Sequence, residues 1–186
     1  MKPTKQLHQK LINSCKKQDR KAQLALYKMY SKGMLSVANR YVNDLFLAED
    51  IMQDAFIKAF KNINSYKQEV AFGAWLKRIV INQSIDELKR KKLITVSLKE
   101  EVYNDIQDEE TWEVDDTVTA KMVVEAIQNQ KEKYRLVLSM YLIEGYDHQE
   151  ISQIIGITEV TSRTHLMRGK KLVKEYLKVT NYAEGY

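Results

Sequence analysis

After Pro3 the chain contains no proline, and its 186 residues include only six glycines. Proline and glycine are the residues that most disrupt a helix interior, so long stretches are left uninterrupted. Hydrophobic residues make up 44% of the sequence, enough to bury a core. Leu, Ile, Lys, Glu, Gln and Ala dominate where strand formers would be needed. These features predict an all-α fold. Its clearest helix spans residues 46–62, where Ala48, Ile51, Met52, Ala55, Phe56, Ala59, Phe60 and then Ile63 advance in a 3-1-3-1-3-1-3 rhythm.

The same periodicity places other helices. Leu7, Leu11, Ile12 and Cys15 predict a short first helix, with Cys15 in a buried position that gives it no chemistry. Asp19 is placed to cap a second, along which Ala22, Ala25, Leu26, Met29, Tyr30, Gly33, Val37 and Tyr41 recur. A loop is expected at residues 64–69, then a helix over residues 70–91 with Phe72, Trp75, Leu76, Ile79 and Val80 inward. Helical pattern resumes with Val123, Val124 and Ile127, and again with Leu136, Val137, Met140, Tyr141 and Ile143, closed by Gly145.

Charge divides the chain in three. Residues 1–95 hold 19 Lys/Arg against 8 Asp/Glu, residues 96–119 hold 1 against 9, and residues 120–186 hold 10 against 8. Residues 96–117 lack a helical period and read as an acidic linker between two small helical domains, residues 1–95 and 118–186. The basic N-terminal block fits a polyanion such as nucleic acid, or equally a lysine-rich solubility surface.

Residues 147–172, DHQEISQIIGITEVTSRTHLMRGKKL, carry start and stop signals for two consecutive helices. Asp147 with Glu150 has capping-box spacing. Ile151, Ile154 and Ile155 give one apolar face, Gly156 permits a left-handed turn, and Thr158 is placed to cap the second helix. That helix carries Arg163, Thr164, His165, Arg168, Lys170 and Lys171. This is the layout of a DNA-reading helix-turn-helix; an αα-hairpin with a solvated basic face shares it.

Two further surfaces stand out. Glu49, Asp50, Gln53 and Asp54 fall opposite the apolar stripe of residues 46–62, with Ile57 beside them. That combination fits a protein-docking face, or an Ile57 covered by another helix of its own domain. Residues 64–82 mix Tyr66, Phe72 and Trp75 with Lys67, Lys77, Arg78 and amides. Exposed, such aromatics would stack bases; at helical spacing they also fit a core, which leaves the loop residues Asn64, Ser65 and Lys67 as the better contacts. Enzyme chemistry is not in view. The three histidines are isolated, and no zinc spacing, phosphate-cradling loop or G-x-S-x-G occurs. No cofactor, metal or small-molecule substrate is therefore expected. No apolar run has signal-peptide or membrane-spanning length, so a cytoplasmic protein is expected.

Three blocks, AEDIMQDAFIKAF (residues 48–60), AFGAWLKRIVINQSID (71–86) and YRLVLSMYLIEGYDHQEISQIIGITEVTSRTHLMRGKKL (134–172), resemble bacterial RNA polymerase sigma factors. The two-domain form resembles the extracytoplasmic-function group, over about residues 20–92 and 118–175. The resemblance implies a non-enzymatic initiation factor whose partners are RNA polymerase core, promoter DNA and an anti-sigma factor. By the same resemblance Glu49, Asp50, Gln53 and Asp54 would dock on the polymerase, and Ile57, beside them by helical spacing, would join that face. Asn64, Ser65 and Lys67 would capture a flipped base of the −10 element. Arg78, Asn82, Lys89 and Arg90 would meet the adjoining duplex, and Arg163, Thr164, His165 and Arg168 would read the −35 element. The chain departs from the family pattern at Ser152, Ser162 and Gly169. Without the resemblance, a stand-alone helix-turn-helix regulator or a helical enzyme acting on nucleic acid remains open.

Overall fold

The computed structural model describes residues 8–95 and 118–183. The acidic tract of residues 96–117 and Leu7 lie outside the described residues. Every regular element among those described is helical. The chain divides into two compact units, Met1–Val96 and Ser97–Tyr186.

The first unit is built from α1 (Gln9–Lys16), α2 (Arg20–Val42), α3 (Leu45–Lys61), a 3-10 turn (Ile63–Ser65) and α4 (Phe72–Thr95). The Asp19 carboxylate accepts from the backbone N–H groups of Lys21 and Ala22 and starts α2. Asn43 then takes the left-handed conformation, which asparagine tolerates, and Asp44 caps α3 by accepting from Leu47 N–H. Helices α2, α3 and α4 pack on one another, with α1 against α2 and the 3-10 turn. Ala48, Ala55 and Ala59 on α3 are fully buried. Their small side chains let the neighbouring backbones come close while Met52 and Phe56 fill the space between.

Cys15 is fully buried. Burial, and secondarily the Asp19 carboxylate, pushes its thiol up to about 11, so it stays protonated and acts as a small core residue. Tyr66, 2% exposed, is the other pivot of this unit. Its ring meets Phe72 edge-on (5.6 Å between centroids) and Trp75 at a tilt (5.2 Å). Its hydroxyl donates to Val70 O (2.6 Å), and Lys16 Nζ donates to its carbonyl (3.3 Å).

The second unit contains α5 (Ala120–Gln128), α6 (Glu132–Leu138), a π-helical turn (Ser139–Glu144), α7 (His148–Ile155) and α8 (Glu159–Ala183). Helix α8 is the spine, against which α5, α6 and α7 all pack. The π turn continues α6 and widens its last turn, which shifts the phase of the apolar pattern. Leu136, Val137 and Met140 are buried as their spacing predicts, whereas Tyr141 and Leu142 are exposed. Gly145, at φ 77°, ends the run.

The crossing of α6 over α8 depends on Gly169. A Cβ there would sit 2.9 Å from both Cγ and Cδ1 of Leu138, a fully buried side chain. The glycine that looks like a weak point in a helix is thus what admits Leu138. Overpacking costs about 1–3 kcal/mol and outweighs the roughly 1 kcal/mol that alanine gains in helix propensity. Gly169→Ala should therefore lower the urea midpoint of the C-terminal unit, by about 1 kcal/mol net. Gly33 has no atom within 4 Å of a built Cβ, so Gly33→Ala should stabilise the N-terminal unit by about 0.5–1 kcal/mol. Equal effects of the two substitutions would contradict the Leu138 contact.

Candidate nucleic-acid and protein interfaces

Because α3 buries its alanine stripe, the residues opposite must face out. Glu49, Asp50, Gln53, Asp54 and Ile57 are all exposed, and Ile57 is 52% exposed rather than covered by a neighbouring helix. Asp50 and Asp54 repeat one turn apart, a like-charge pair that costs a helix a few tenths of a kcal/mol. The face extends further than its sequence pattern indicated. Phe46, 84% exposed, lies on the same stripe as Asp50, Gln53 and Ile57 at steps of four, three and four. The result is an acidic strip with an apolar group at each end, about three turns apart. Periodicity places Phe46 only as a helix start; its position relative to Ile57 is the signal that puts it on this face.

The 3-10 turn and the loop after it present Asn64, Ser65 and Lys67 to solvent. Ser65 Oγ donates to Asn62 O (2.8 Å), which tightens the turn. Tyr66, between them, points inward and anchors the loop. Tyr66 and Phe72 are both core, so neither offers a stacking surface, and Trp75 is only partly exposed. Burial raises the Tyr66 phenol above its ordinary value, with Tyr30 a lesser cause, which keeps the hydroxyl a donor. Along α4, Arg78, Asn82, Lys89 and Arg90 are exposed, and Arg90 pairs with Glu87 one turn earlier.

The second unit contains the two-helix motif. Asp147 accepts from Glu150 N–H (2.7 Å) and Glu150 Oε2 accepts from Asp147 N–H (3.0 Å), closing both halves of a capping box. Gly156, at φ 84°, ends α7. Thr158 Oγ1 accepts from Thr161 N–H (3.1 Å) and starts α8. Arg163 is exposed and pairs with Glu159 at 3.2 Å, while Thr164 donates its hydroxyl proton to Val160 O at 3.0 Å. Arg168 is half-buried. His165 turns the other way: it is 8% exposed, and its ring meets Tyr134 edge-on at 5.6 Å. The structure therefore groups Arg163, Thr164 and Arg168 on the outward side of α8 and sets His165 inside. Helical spacing explains this, since His165 falls next to the buried Leu166 and three residues after the buried Ser162.

Ser162 is fully buried, and its hydroxyl lies 2.9 Å from His148 Nδ1. The His148 ring also stacks on Tyr141, with centroids 4.8 Å apart. One imidazole thus ties α7 to α8 and to the π turn. The buried Ser162 hydroxyl is thus the partner of that histidine.

The comparisons with known proteins agree with this geometry. Residues 26–94 match sigma-70 region 2, and residues 121–173 match sigma-70 region 4; together the two spans take in well over half of the chain. The chain belongs to the RNA polymerase sigma factors of the extracytoplasmic-function group. The sigma factor is 29% identical to the ECF RNA polymerase sigma factor SigW of Bacillus subtilis, over 91% of this chain and 96% of that protein. It is 27% identical to the ECF sigma-E factor of Haemophilus influenzae, over 89% and 93%. The fold resembles that of the sigma factor RpoE from Bartonella quintana, solved in complex with the anti-sigma factor NepR. There the TM-score is 0.50 and the identity 18%, covering 83% of this chain and 96% of that one. As a sigma factor, the chain directs RNA polymerase to promoters in transcription initiation. Among the described residues, no helix is long and apolar enough to cross a membrane. The acidic face of α3, the loop of residues 64–69 and the outward face of α4 lie within the region 2 match; the two-helix motif lies within the region 4 match.

The histidine tie gives this sigma factor a pH dependence of stability. Burial lowers the His148 pKa below its ordinary 6.5, and Arg163 and Lys170 add to this; Asp147 and Glu159 oppose it. The fold thus holds the imidazole neutral. Its contribution is intact above about pH 6.5 and is lost as pH falls through the folded value, because the unfolded chain then binds the proton more readily. Between about pH 7.5 and 5, the C-terminal unit of the wild type should lose more unfolding free energy than that of His148→Gln. Matching pH profiles would show that the imidazole is not held neutral.

Proposed function

We propose that the two units divide the promoter between them while both are held by polymerase. In this reading residues 1–95 dock on core and engage the −10 element, residues 96–117 form a tether, and residues 118–186 engage the −35 element. The acidic strip of α3 carries the core contact. Its charges steer encounter, and Phe46 and Ile57 supply apolar anchors at either end. The supporting observation is that exposed strip: Ile57 stays open at 52% and Phe46 at 84%, beside carboxylates that repel one another.

Asn64, Ser65 and Lys67 form the capturing loop, and the buried Tyr66 keeps it in one shape. A base drawn out of the stack costs a few kcal/mol. A loop already ordered recovers more of that cost than a loose one, so capture shifts the balance toward melted DNA. Arg78, Asn82, Lys89 and Arg90 contact the adjoining duplex. On α8, Arg163, Thr164 and Arg168 face the −35 major groove. His165 positions α8 against Tyr134 and does not itself touch DNA. The factor acts without catalysis of its own and works in the cytoplasm. An anti-sigma factor is a further partner; the structurally similar Bartonella sigma factor was solved bound to one.

Core polymerase supplied with this chain should initiate selectively at sites that core alone ignores. Transcript mapping after overproduction identifies those sites. Asp54→Lys should weaken core binding about tenfold, or about 1.4 kcal/mol, with the fold unchanged by circular dichroism; unchanged affinity would remove α3 from the interface. Arg163→Ala should cost about 1–3 kcal/mol at one −35 position. A uniform loss across sequences would make Arg163 a phosphate contact instead.

A further inference from the structure

The first turns of α8 present one group that promoter binding as described does not use. In a helix-turn-helix the N-terminal residues of the second helix come nearest the base edges. The side chains there are mostly committed. Glu159 holds Arg163 at 3.2 Å, Thr161 Oγ1 lies 2.8 Å from Thr158 Oγ1, and Ser162 is buried on His148. Val160 is not committed: it is 66% exposed, the second residue of α8, one turn before Thr164 on the outward face. A β-branched side chain is a poorer helix former than alanine. At this exposure it gains little from burial in return.

Valine has no hydrogen-bonding atom. The one base-edge group in the major groove that it can distinguish is the C5 methyl of thymine, since the other major-groove features are donors and acceptors. Its surroundings fit that task. The Thr164 hydroxyl proton goes to Val160 O, which leaves that side chain with a methyl and an acceptor beside the valine. Arg163, one turn along on the other flank, is braced by Glu159. The face therefore offers a small apolar patch edged by a cation.

We infer that Val160 is a specificity-determining residue of the −35 contact and reads the C5 methyl group of a thymine next to the base contacted by Arg163. This rests on the reading of α8 as the −35 helix, and the test separates the two. Holoenzyme, assembled from core and the full chain, is bound to a promoter duplex taken from its mapped start sites. Uracil replaces thymine at each −35 position in turn, which removes one methyl and no hydrogen bond. Loss of a single buried methyl corresponds to about a fourfold weakening. Wild type should lose about fourfold at one position, and Val160→Ala holoenzyme should bind the thymine and uracil duplexes equally there. Wild type indifferent to uracil at every position, or Val160→Ala as sensitive as wild type, overturns the assignment to Val160 and leaves α8 as the −35 helix. If scrambling the whole −35 sequence leaves affinity unchanged, α8 does not read that element and both statements fall.

Discussion

The close approach of α2 and α4 to the alanine stripe of α3 is the contact on which the N-terminal half depends. Ala48, Ala55 and Ala59 contribute little apolar area of their own. What they provide is proximity: larger neighbours such as Tyr41, Phe56 and Leu76 then fill the space to core density. An amphipathic helix pinned so firmly on one side has no freedom in what it shows on the other. The carboxylates at positions 49, 50 and 54, and the apolar groups at 46 and 57, are fixed in register by side chains that never reach the surface. A docking face on a rigid helix loses less entropy on binding than one on a loop. On the proposed reading of α3 as the docking helix, that rigidity favours binding.

The C-terminal half solves a related problem differently. Its second helix must be held at a set angle to the first across a turn of a few residues, and apolar packing between short helices is thin. The His148 imidazole adds a directed contact, reaching Ser162 on α8 and stacking on Tyr141 of the π turn. Leu138 fitting over Gly169 fixes the same helix at a second point. Between these two points the outward residues of α8 are aimed by packing, and His165 belongs to the aiming side.

Much of this was legible in the sequence because it is local. Asp19, Asp147 with Glu150, Gly156 and Thr158 act on backbone groups within four residues, so the spacing alone carried them. The 3-1 rhythm of α3 set both its buried and its exposed faces. What escaped was non-local or out of phase. The π turn displaces Tyr141 from the core side, and no single residue announces it. The resemblance made His165 a groove contact; its helical position beside Leu166 and Ser162 turns it inward instead, onto the Tyr134 ring. Gly169 reads as a weakness in the sequence, and only the Leu138 side chain packed against it explains its presence. Tyr66 fits either a base platform or a core by spacing, and the bond to Val70 O together with the Phe72 and Trp75 contacts decides for core.

The outward face of α8 also bears on how firmly this unit should hold DNA. Glu159 sits in the first turn of α8 and pairs with Arg163; on the proposed reading of α8 it carries a charge that phosphates repel. A helix selected only for affinity would place a cation or a neutral residue there. If Arg163 reads a base as proposed, this pairing would trade electrostatic attraction that acts on any DNA for geometry that acts on one base. A weak but selective reader is serviceable only if something else keeps it near the promoter. In the proposed assembly polymerase would do so by holding both halves at once, since the second contact then forms at a raised effective concentration. On the proposed division of roles, a selective contact at α8 and a docking strip on α3 complement each other, because the second contact gains from the first.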